Sequence, residues 1–204
     1  MKLTWHGHSC YTLETAQGSL VIDPYEDNYV PGLAPVALTA DQVVCSHQHR
    51  DHNAVQIVTL TGNTPSYEIT ELETFHDNVQ GAKRGTNLMR IISAEGMRLA
   101  HLGDLGCTPT PEQIALLKNL DVLLIPVGGF FTIGPKEAQA LIETLNPRVV
   151  VPMHYRSDTY GYEVLATVED FLSLRNDVVR YEENWIQITP DTQEQTAVLT
   201  YQAP

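Results

Sequence analysis

The first part of the chain alternates hydrophobic and polar positions in short segments, the pattern of β-strands with one buried face. Residues 3–5 and 11–13 carry this pattern imperfectly, and Gln17-Gly18 supplies a turn before a short apolar segment, Leu20–Ile22, which ends at Asp23-Pro24. A further short apolar run, Val43–Cys45, stops abruptly in a polar, histidine-rich turn. This run predicts a buried strand whose end delivers side chains into a site.

The second half of the chain has longer apolar runs. Residues 88–92 and 97–102 flank Glu95-Gly96, which predicts a hairpin with a glycine-containing turn. Asp121–Val127 and Val149–Val151 are continuous apolar runs, typical of strands that are buried on both faces. Strand patterning returns in the tail at Trp185–Ile188 and Ala197–Tyr201.

Three segments carry the signals of helices. Thr110-Pro111-Glu112-Gln113 supplies a cap, a proline at the first helical position and a glutamine that closes a capping box. A second helix begins at Pro135, and one buried face is formed by Ala138, Leu141, Ile142 and Leu145. Val164–Leu174 predicts a third. Since helices alternate with strands here, the sequence predicts an α/β protein whose sheets are covered by helices, with a site at the strand ends.

Composition and charge narrow the classes of function. The chain has 204 residues, 43% of them hydrophobic and 18% charged, which suits a folded core in a single domain, residues 1–204. The formal net charge is −13, and only 12 residues are Lys or Arg. Because a nucleic-acid surface needs clustered basic residues, we expect a small-molecule substrate and no nucleic acid.

The cysteines and the N-terminus bear on location. Three cysteines, Cys10, Cys45 and Cys107, show no close pairing, which favours a reducing compartment. The first residues contain no apolar segment of the secretory type. No apolar run approaches the roughly 20 residues that span a membrane. We therefore expect a soluble cytoplasmic protein without a membrane partner, and a homo-oligomer is compatible with the sequence.

The turn after Val43–Cys45 concentrates metal-binding groups. His47, His49, Asp51 and His52 place three imidazoles and one carboxylate in six residues. Side chains at i and i+2 of an extended segment point the same way, so His47 and His49 can bind one cation together. Asp51 and His52 can face a neighbouring cation. Four such groups directly after an apolar strand are difficult to explain as a solvated loop, and structural zinc sites are usually richer in cysteine.

These residues resemble the His-x-His-x-Asp-His signature of the metallo-β-lactamase superfamily. Further segments, in the expected order, are similar to those of its small zinc-dependent hydrolase branch: Trp5-His6-Gly7-His8-Ser9, Leu20-Val21-Ile22-Asp23-Pro24, Leu102-Gly103-Asp104-Leu105-Gly106, Pro126-Val127-Gly128-Gly129 and Pro152-Met153-His154-Tyr155. That branch includes ascorbate-6-phosphate lactonase-like and N-acyl-phosphatidylethanolamine phospholipase D-like proteins. The resemblance covers most of the chain.

The resemblance implies a four-layer αββα sandwich and a role for seven side chains. The first of two metal ions would be held by His47, His49 and His76. The second would be held by Asp51, His52 and His154, with Asp104 bridging the two ions. His76 is identified only by its place between the first motif and Asp104, and a surface-loop histidine is the alternative.

The function that follows is metal-dependent hydrolysis. Two divalent ions, with Zn²⁺ favoured over Mn²⁺ or iron, would lower the pKa of a bridging water so that hydroxide attacks a small ester, lactone or phosphodiester. Asp51 or Asp104 would transfer a proton to the leaving group. One alternative is a di-iron oxidoreductase on the same fold, which typically has a glutamate where this chain has His49. The other is a metal-binding regulatory protein without turnover.

Several residues near these motifs have two interpretations. His8 is either beside the site or part of a structural turn, and His101 is expected to be packed rather than a ligand. Asp23, by resemblance, would hold the other nitrogen of a ligand histidine, and it also suits a turn before proline. Lys83 and Arg84 either receive an anionic substrate group or belong to an exposed hairpin.

Overall fold

The computed structural model describes all residues from 1 to 204 and contains fourteen strands and three α-helices. The strands are β1 (Lys2–Gly7), β2 (Cys10–Thr15), β3 (Gly18–Ile22), β4 (Leu38–Ala40), β5 (Gln42–Val44), β6 (Val58–Leu60), β7 (Glu68–Phe75), β8 (Thr86–Ala94), β9 (Met97–His101), β10 (Val122–Pro126), β11 (Val149–Met153), β12 (Val178–Arg180), β13 (Trp185–Gln187) and β14 (Gln195–Val198). The helices are α1 (Pro111–Leu116), α2 (Pro135–Leu145) and α3 (Val168–Leu172), and a 3₁₀ turn lies at Val55–Ile57.

Two large sheets form the centre of the molecule. One has five strands in the order β13-β1-β2-β3-β5, and the other has seven in the order β12-β14-β11-β10-β9-β8-β7. A single cluster of 41 buried residues draws on both sheets, with Leu3 and Leu13 from the first and Leu99 and Leu123 from the second. The main core therefore lies between the sheets, as two packed apolar faces require.

The helices connect strands of the seven-stranded sheet. The loop with α1 leads from β9 to its parallel neighbour β10, and α2 leads from β10 to its parallel neighbour β11. The buried face of α2 consists of the four residues that the apolar spacing predicts, Ala138, Leu141, Ile142 and Leu145. The capping box of α1 is also confirmed, because the Thr110 side chain accepts from the Gln113 backbone and the Gln113 side chain accepts from Thr110.

The outer side of the five-stranded sheet is covered differently. There the short parallel pair β4–β6 packs on β3 through a small cluster of Val21, Ala40 and Val58. The α/β class and the sandwich of two sheets are as predicted. The layer outside the five-stranded sheet is formed by this pair and the 3₁₀ turn, while all three α-helices belong to the connections of the larger sheet.

Three sequence predictions need correction in detail. The third helix spans only Val168–Leu172, because Thr167 and Asp170 form a capping box that starts it there. The strand predicted to be buried at Val43–Cys45 corresponds to β5. It is half-buried, since β5 is the edge strand of its sheet. The last strand covers Gln195–Val198 instead of Ala197–Tyr201, where it pairs between β11 and β12.

The connections place the polar motifs together. Strands β9, β10 and β11 are parallel neighbours, so their carboxyl ends share one edge of the sheet. Asp104, Gly128 and His154 follow these three ends within three residues. The motif at His47 follows β5, which is parallel to β3. None of the helices is both long and apolar enough to cross a membrane.

Candidate metal centre

Asp23 organises the loop that carries the histidine motif. One of its carboxylate oxygens accepts a hydrogen bond from the backbone N–H of Ser46 at 2.6 Å. The other accepts from the Ser46 hydroxyl at 2.6 Å and lies 2.8 Å from Nδ1 of His52. All three residues are buried. Asp23 thus makes the contact with a motif histidine that the sequence suggested, and it fixes both the start and the end of the loop.

The first predicted ligand group is brought together by the fold. His47, His49 and His76 each offer one ligand atom, and these atoms lie within 4.8 Å of one another. Nδ1 of His47 is 2.9 Å from the Ser46 hydroxyl, and Nδ1 of His76 is 3.1 Å from the carbonyl of Phe131. With Nδ1 engaged in this way, Nε2 of both rings is left for a cation. His76 is buried, so the alternative of a surface-loop histidine is wrong.

The second predicted group also assembles, and it contains one residue more than expected. Asp51, His52 and His154 lie with His8 in a set whose ligand atoms are within 4.8 Å of one another. Nε2 of His8 is 3.5 Å from Oδ2 of Asp51, and the His8 ring is 4.1 Å from the His154 ring. Sequence reasoning left the position of His8 open. Its only local signal is the Gly-His-Ser turn between β1 and β2.

Asp104 lies between the two groups. Its Oδ2 is 3.2 Å from Nε2 of His76 and 3.1 Å from Nε2 of His154. The backbone N–H of Asp104 donates to the side-chain oxygen of Asn87, whose amide donates in turn to the Leu102 carbonyl. Asn87, which the sequence did not single out, therefore holds the loop that presents Asp104.

The buried polar atoms at this centre test whether a metal fits. Several lack any hydrogen-bond partner, namely both ring nitrogens of His8, Nε2 of His47, Nε2 of His52, Nδ1 of His154 and Oδ1 of Asp104. An unsatisfied buried polar atom costs about 1–3 kcal/mol, so such a concentration is unusual without a ligand. Imidazole and carboxylate groups are those that Zn²⁺ prefers. The side chains present therefore fit divalent cations.

The electrostatics of His47 and Asp104 agree with this assignment, whereas without a cation His52 favours its protonated form. Burial lowers the pKa of His47 to about 3, and nearby His52 adds to the effect. A neutral imidazole is the form that binds a cation. Burial tends to raise the pKa of Asp104, but His154 and His52 outweigh it, so this pKa lies well below its usual range. Burial tends to lower the pKa of His52, yet the carboxylates around it, Asp104 first, raise it well above the usual value.

Three residues at the centre have left-handed backbone conformations. The φ angles are 52° at His8, 50° at Asp23 and 54° at His154. Such a conformation costs a residue other than glycine about 1–2 kcal/mol. The surrounding packing must supply this energy, and strain of this kind concentrates at functional sites.

The centre opens into a small cavity. Its volume is about 260 Å³, and its walls include Tyr29, His49, Arg84, Phe131 and Tyr162. The Tyr162 hydroxyl donates to Oδ2 of Asp51 at 3.3 Å. A larger cavity of about 630 Å³ lies beside α2, but none of the predicted ligands lines it. The smaller cavity is the one that gives access to the chemistry.

His101 has the structural role that the sequence favoured. Its side chain is buried, with Nε2 at 3.0 Å from the Ser9 carbonyl and Nδ1 accepting from the Gly103 N–H. Both ring nitrogens are therefore engaged by backbone groups, and neither is available to a cation.

Comparison with known proteins agrees with this geometry. The family model of the beta-lactamase superfamily domain matches residues 2–154. The chain belongs to the metallo-β-lactamase superfamily. A UPF0173 metal-dependent hydrolase of Pyrobaculum islandicum is 31% identical over 194 residues, covering 77% of this chain and 85% of the relative. A similar protein of Pyrobaculum calidifontis is also 31% identical, over 191 residues.

Solved structures of the superfamily share the architecture. A candidate zinc-dependent hydrolase of this superfamily from Thermotoga maritima has a TM-score of 0.77 and 35% identity, with 97% of each chain covered. A diiron β-hydroxylase of Streptomyces venezuelae has a TM-score of 0.55 and 12% identity, covering 75% of this chain and 44% of that one. The second likeness shows the fold alone. Like the relatives that it matches, this chain is a metal-dependent hydrolase of the superfamily.

Proposed function

We propose that this metallo-β-lactamase superfamily member is a binuclear hydrolase of small esters, lactones or phosphodiesters. The observation that carries the proposal is the position of Asp104. Its carboxylate contacts His76 of one donor group and His154 of the other, at 3.2 and 3.1 Å. A carboxylate shared by two donor groups is suited to bridge two cations.

The donor set supports zinc as the metal. His47, His49 and His76 would hold one ion, and Asp51, His52 and His154 the other, with His8 as a further donor beside the second group. Imidazole suits zinc, and it also binds iron, while Mn²⁺ prefers oxygen ligands. We assign Zn²⁺ because six of these eight donors, counting Asp104, are histidines.

The side chains of the cavity suggest how a substrate is turned over. A pair of divalent cations would supply a water whose pKa is lowered toward neutrality and would polarise the bond under attack. We assign proton transfer to the leaving group to Asp51 or Asp104. Burial raises the pKa of Tyr162, and the Asp51 charge raises it further. The Tyr162 hydroxyl thus stays protonated at neutral pH, and it orients Asp51 by donating a hydrogen bond to its carboxylate.

The substrate is proposed to be a small molecule. A cavity of about 260 Å³ accommodates a small ester or lactone. The net charge of −13 disfavours nucleic acid as the substrate. We also propose that the protein is cytoplasmic and that it can form a homo-oligomer.

The proposal is tested by metal analysis and an ester panel. We expect two equivalents of zinc per chain, together with turnover of at least one lactone, phosphodiester or thioester by the loaded enzyme. In His49→Ala and Asp104→Ala we expect turnover to fall by at least about a hundredfold, because each removes a metal ligand. His6→Ala is the control, since His6 forms a hydrogen bond with Thr12 and belongs to neither donor group.

Other outcomes would redirect the assignment. Full activity in metal-depleted Asp104→Ala would contradict the proposed role of the centre. Two equivalents of iron with a visible absorption band would favour the di-iron oxidoreductase. If the protein binds zinc but hydrolyses no ester of the panel, the regulatory protein without turnover is favoured.

A further inference from the structure

One basic side chain in the cavity has no partner within the protein. Of the eight arginines in the sequence, Arg84 alone makes no side-chain hydrogen bond or ion pair. The others bind carboxylates or backbone carbonyls: Arg50, Arg90, Arg98, Arg148, Arg156, Arg175 and Arg180. In a chain with a net charge of −13, a half-buried arginine whose guanidinium group has no acceptor within the protein is unusual.

The loop that carries Arg84 is fixed in place. The carboxylate of Asp77 accepts hydrogen bonds from the backbone N–H groups of Val79, Gly81, Lys83 and Arg84, at 2.8 to 2.9 Å. Four bonds to one carboxylate hold the loop as a ring around it. Asp77 is thereby occupied by the backbone and does not neutralise the arginine at the end of the loop.

Aromatic contacts define the direction of the guanidinium group. Its central carbon lies 5.3 Å from the ring centroid of Phe131 and 6.0 Å from that of Phe130. These distances suit cation–π contacts, and no acceptor in the protein engages the five N–H donors of the guanidinium group. The fork of N–H donors on the Arg84 guanidinium group is therefore held beside aromatic rings and has no acceptor within the protein.

The position of this fork relates it to the metal centre. Arg84 lines the same cavity as His49, His76 and Asp104, and Phe131 connects the two regions because its carbonyl is bonded to Nδ1 of His76. An anionic group bound at the fork would leave the rest of a small molecule between the aromatic wall and the metal ligands. An exposed hairpin, the simpler interpretation of this segment, describes Lys83 but not Arg84.

We propose that Arg84 forms an anion subsite, so that the substrate is a small ester or lactone carrying a carboxylate or phosphate group. A planar guanidinium matches both oxyanions through two parallel hydrogen bonds. This proposal deepens the proposed function, because it names the substrate class of the same cavity. The binding of an anion at Arg84 itself requires neither a particular reaction nor a particular metal.

Calorimetric titration of the zinc-loaded protein tests the subsite without turnover. The probes are phenylphosphonate, benzoate and the neutral dimethyl phenylphosphonate. We expect Arg84→Gln to weaken the binding of one or both anions about ten- to a hundredfold, the effect of losing hydrogen bonds between charged groups. Arg84→Lys should retain part of the affinity, because the charge remains but the fork is lost. The neutral diester should bind both proteins equally.

The matched control is Lys83→Gln, which removes the adjacent, exposed charge. It should leave every affinity unchanged, and zinc content should be the same in all variants. The anion that depends more strongly on Arg84 distinguishes a phosphate from a carboxylate substrate. Unchanged binding of both anions in Arg84→Gln would overturn the subsite, as would an equal loss for the neutral diester. If no ester is hydrolysed but anion binding depends on Arg84, the proposed function fails and the subsite stands.

Discussion

At the scale of single residues, the histidines of the centre differ in what holds their second nitrogen. His47 is oriented by Ser46, His52 by Asp23 and His76 by the Phe131 carbonyl. Such contacts fix the tautomer and the ring orientation of a ligand histidine. His8 has no contact of this kind at either ring nitrogen, although its side chain is buried. Its backbone is held instead, because its carbonyl accepts from the Trp5 indole at 3.0 Å.

This geometry leads to a prediction for His8. We expect His8→Ala to weaken binding of the second ion by at least about tenfold, since a donor beside Asp51 and His154 is removed. Chelator competition measures the affinity of each ion separately. The absorption spectrum of the cobalt-substituted protein should also change, because it reports the number of ligands. His6→Ala serves as the control, and a His8→Ala protein with unaltered affinity and spectrum would show that His8 is no ligand.

At the scale of elements, the ends of parallel strands bring candidate ligands together that are far apart in the chain. Asp104 follows β9 and His154 follows β11, while β10 lies between these strands and ends before Gly128. A Cβ atom on Gly128 would collide with the carbonyl oxygen of His154. The loops after β10 and β11 thus approach as backbone against backbone, which only glycine permits at this position.

The close approach makes Gly128→Ala a sensitive substitution. We expect it to lower the free energy of unfolding by about 1–3 kcal/mol, the usual cost of overpacking. The melting temperature should fall by about 2–4 °C per kcal/mol in a chain of this size, which thermal denaturation followed by circular dichroism can measure. Binding of the second ion should weaken as well, since His154 must shift.

Gly134→Ala is the matched control for this effect. A Cβ atom there meets only the flexible carboxylate of Glu137 at 3.1 Å and the Cα of Gly129 at 3.7 Å. Its melting temperature should therefore stay close to that of the parent protein. Equal melting temperatures for Gly128→Ala and Gly134→Ala would contradict the steric argument.

At the scale of the whole molecule, the centre connects the two sheets. His8 and the motif at His47 follow strands of the five-stranded sheet, whereas His76, Asp104 and His154 follow strands of the seven-stranded sheet. Cations bound among them would therefore hold the sheets together at this edge. A ligand that binds only the folded state stabilises it in proportion to the logarithm of its concentration.

Metal removal should consequently destabilise the protein. One ion present at a thousand times its dissociation constant contributes about 4 kcal/mol, so chelation should lower the melting temperature by at least about 8 °C. Thermal denaturation with and without EDTA measures the shift. Asp104→Ala should show a much smaller response, because the residue shared by both groups is missing. A parent protein that binds zinc yet melts at the same temperature without it would contradict this coupling.

The sequence by itself determined the elements and most of the centre where the information is local. The apolar spacing of α2, the cap of α1 and the hairpin at Glu95-Gly96 are each set by residues close in sequence, and the structure has all three. The motif from His47 to His52 is equally local. Resemblance to a superfamily supplied His76, Asp104 and His154, which no spacing argument connects.

Only the tertiary structure decided the remaining features, because they depend on residues far apart in the chain. The place of β5 at a sheet edge left it half-buried despite its apolar residues. The position of His8 depends on β1 and β2 packing beside the ends of the larger sheet, and that of Arg84 on a loop closed around Asp77. A side chain without a partner is recognisable only when every neighbour is known. The local sequence pattern identifies the position of a candidate ligand in the chain, whereas the packing of the sheets and loops determines which groups surround it.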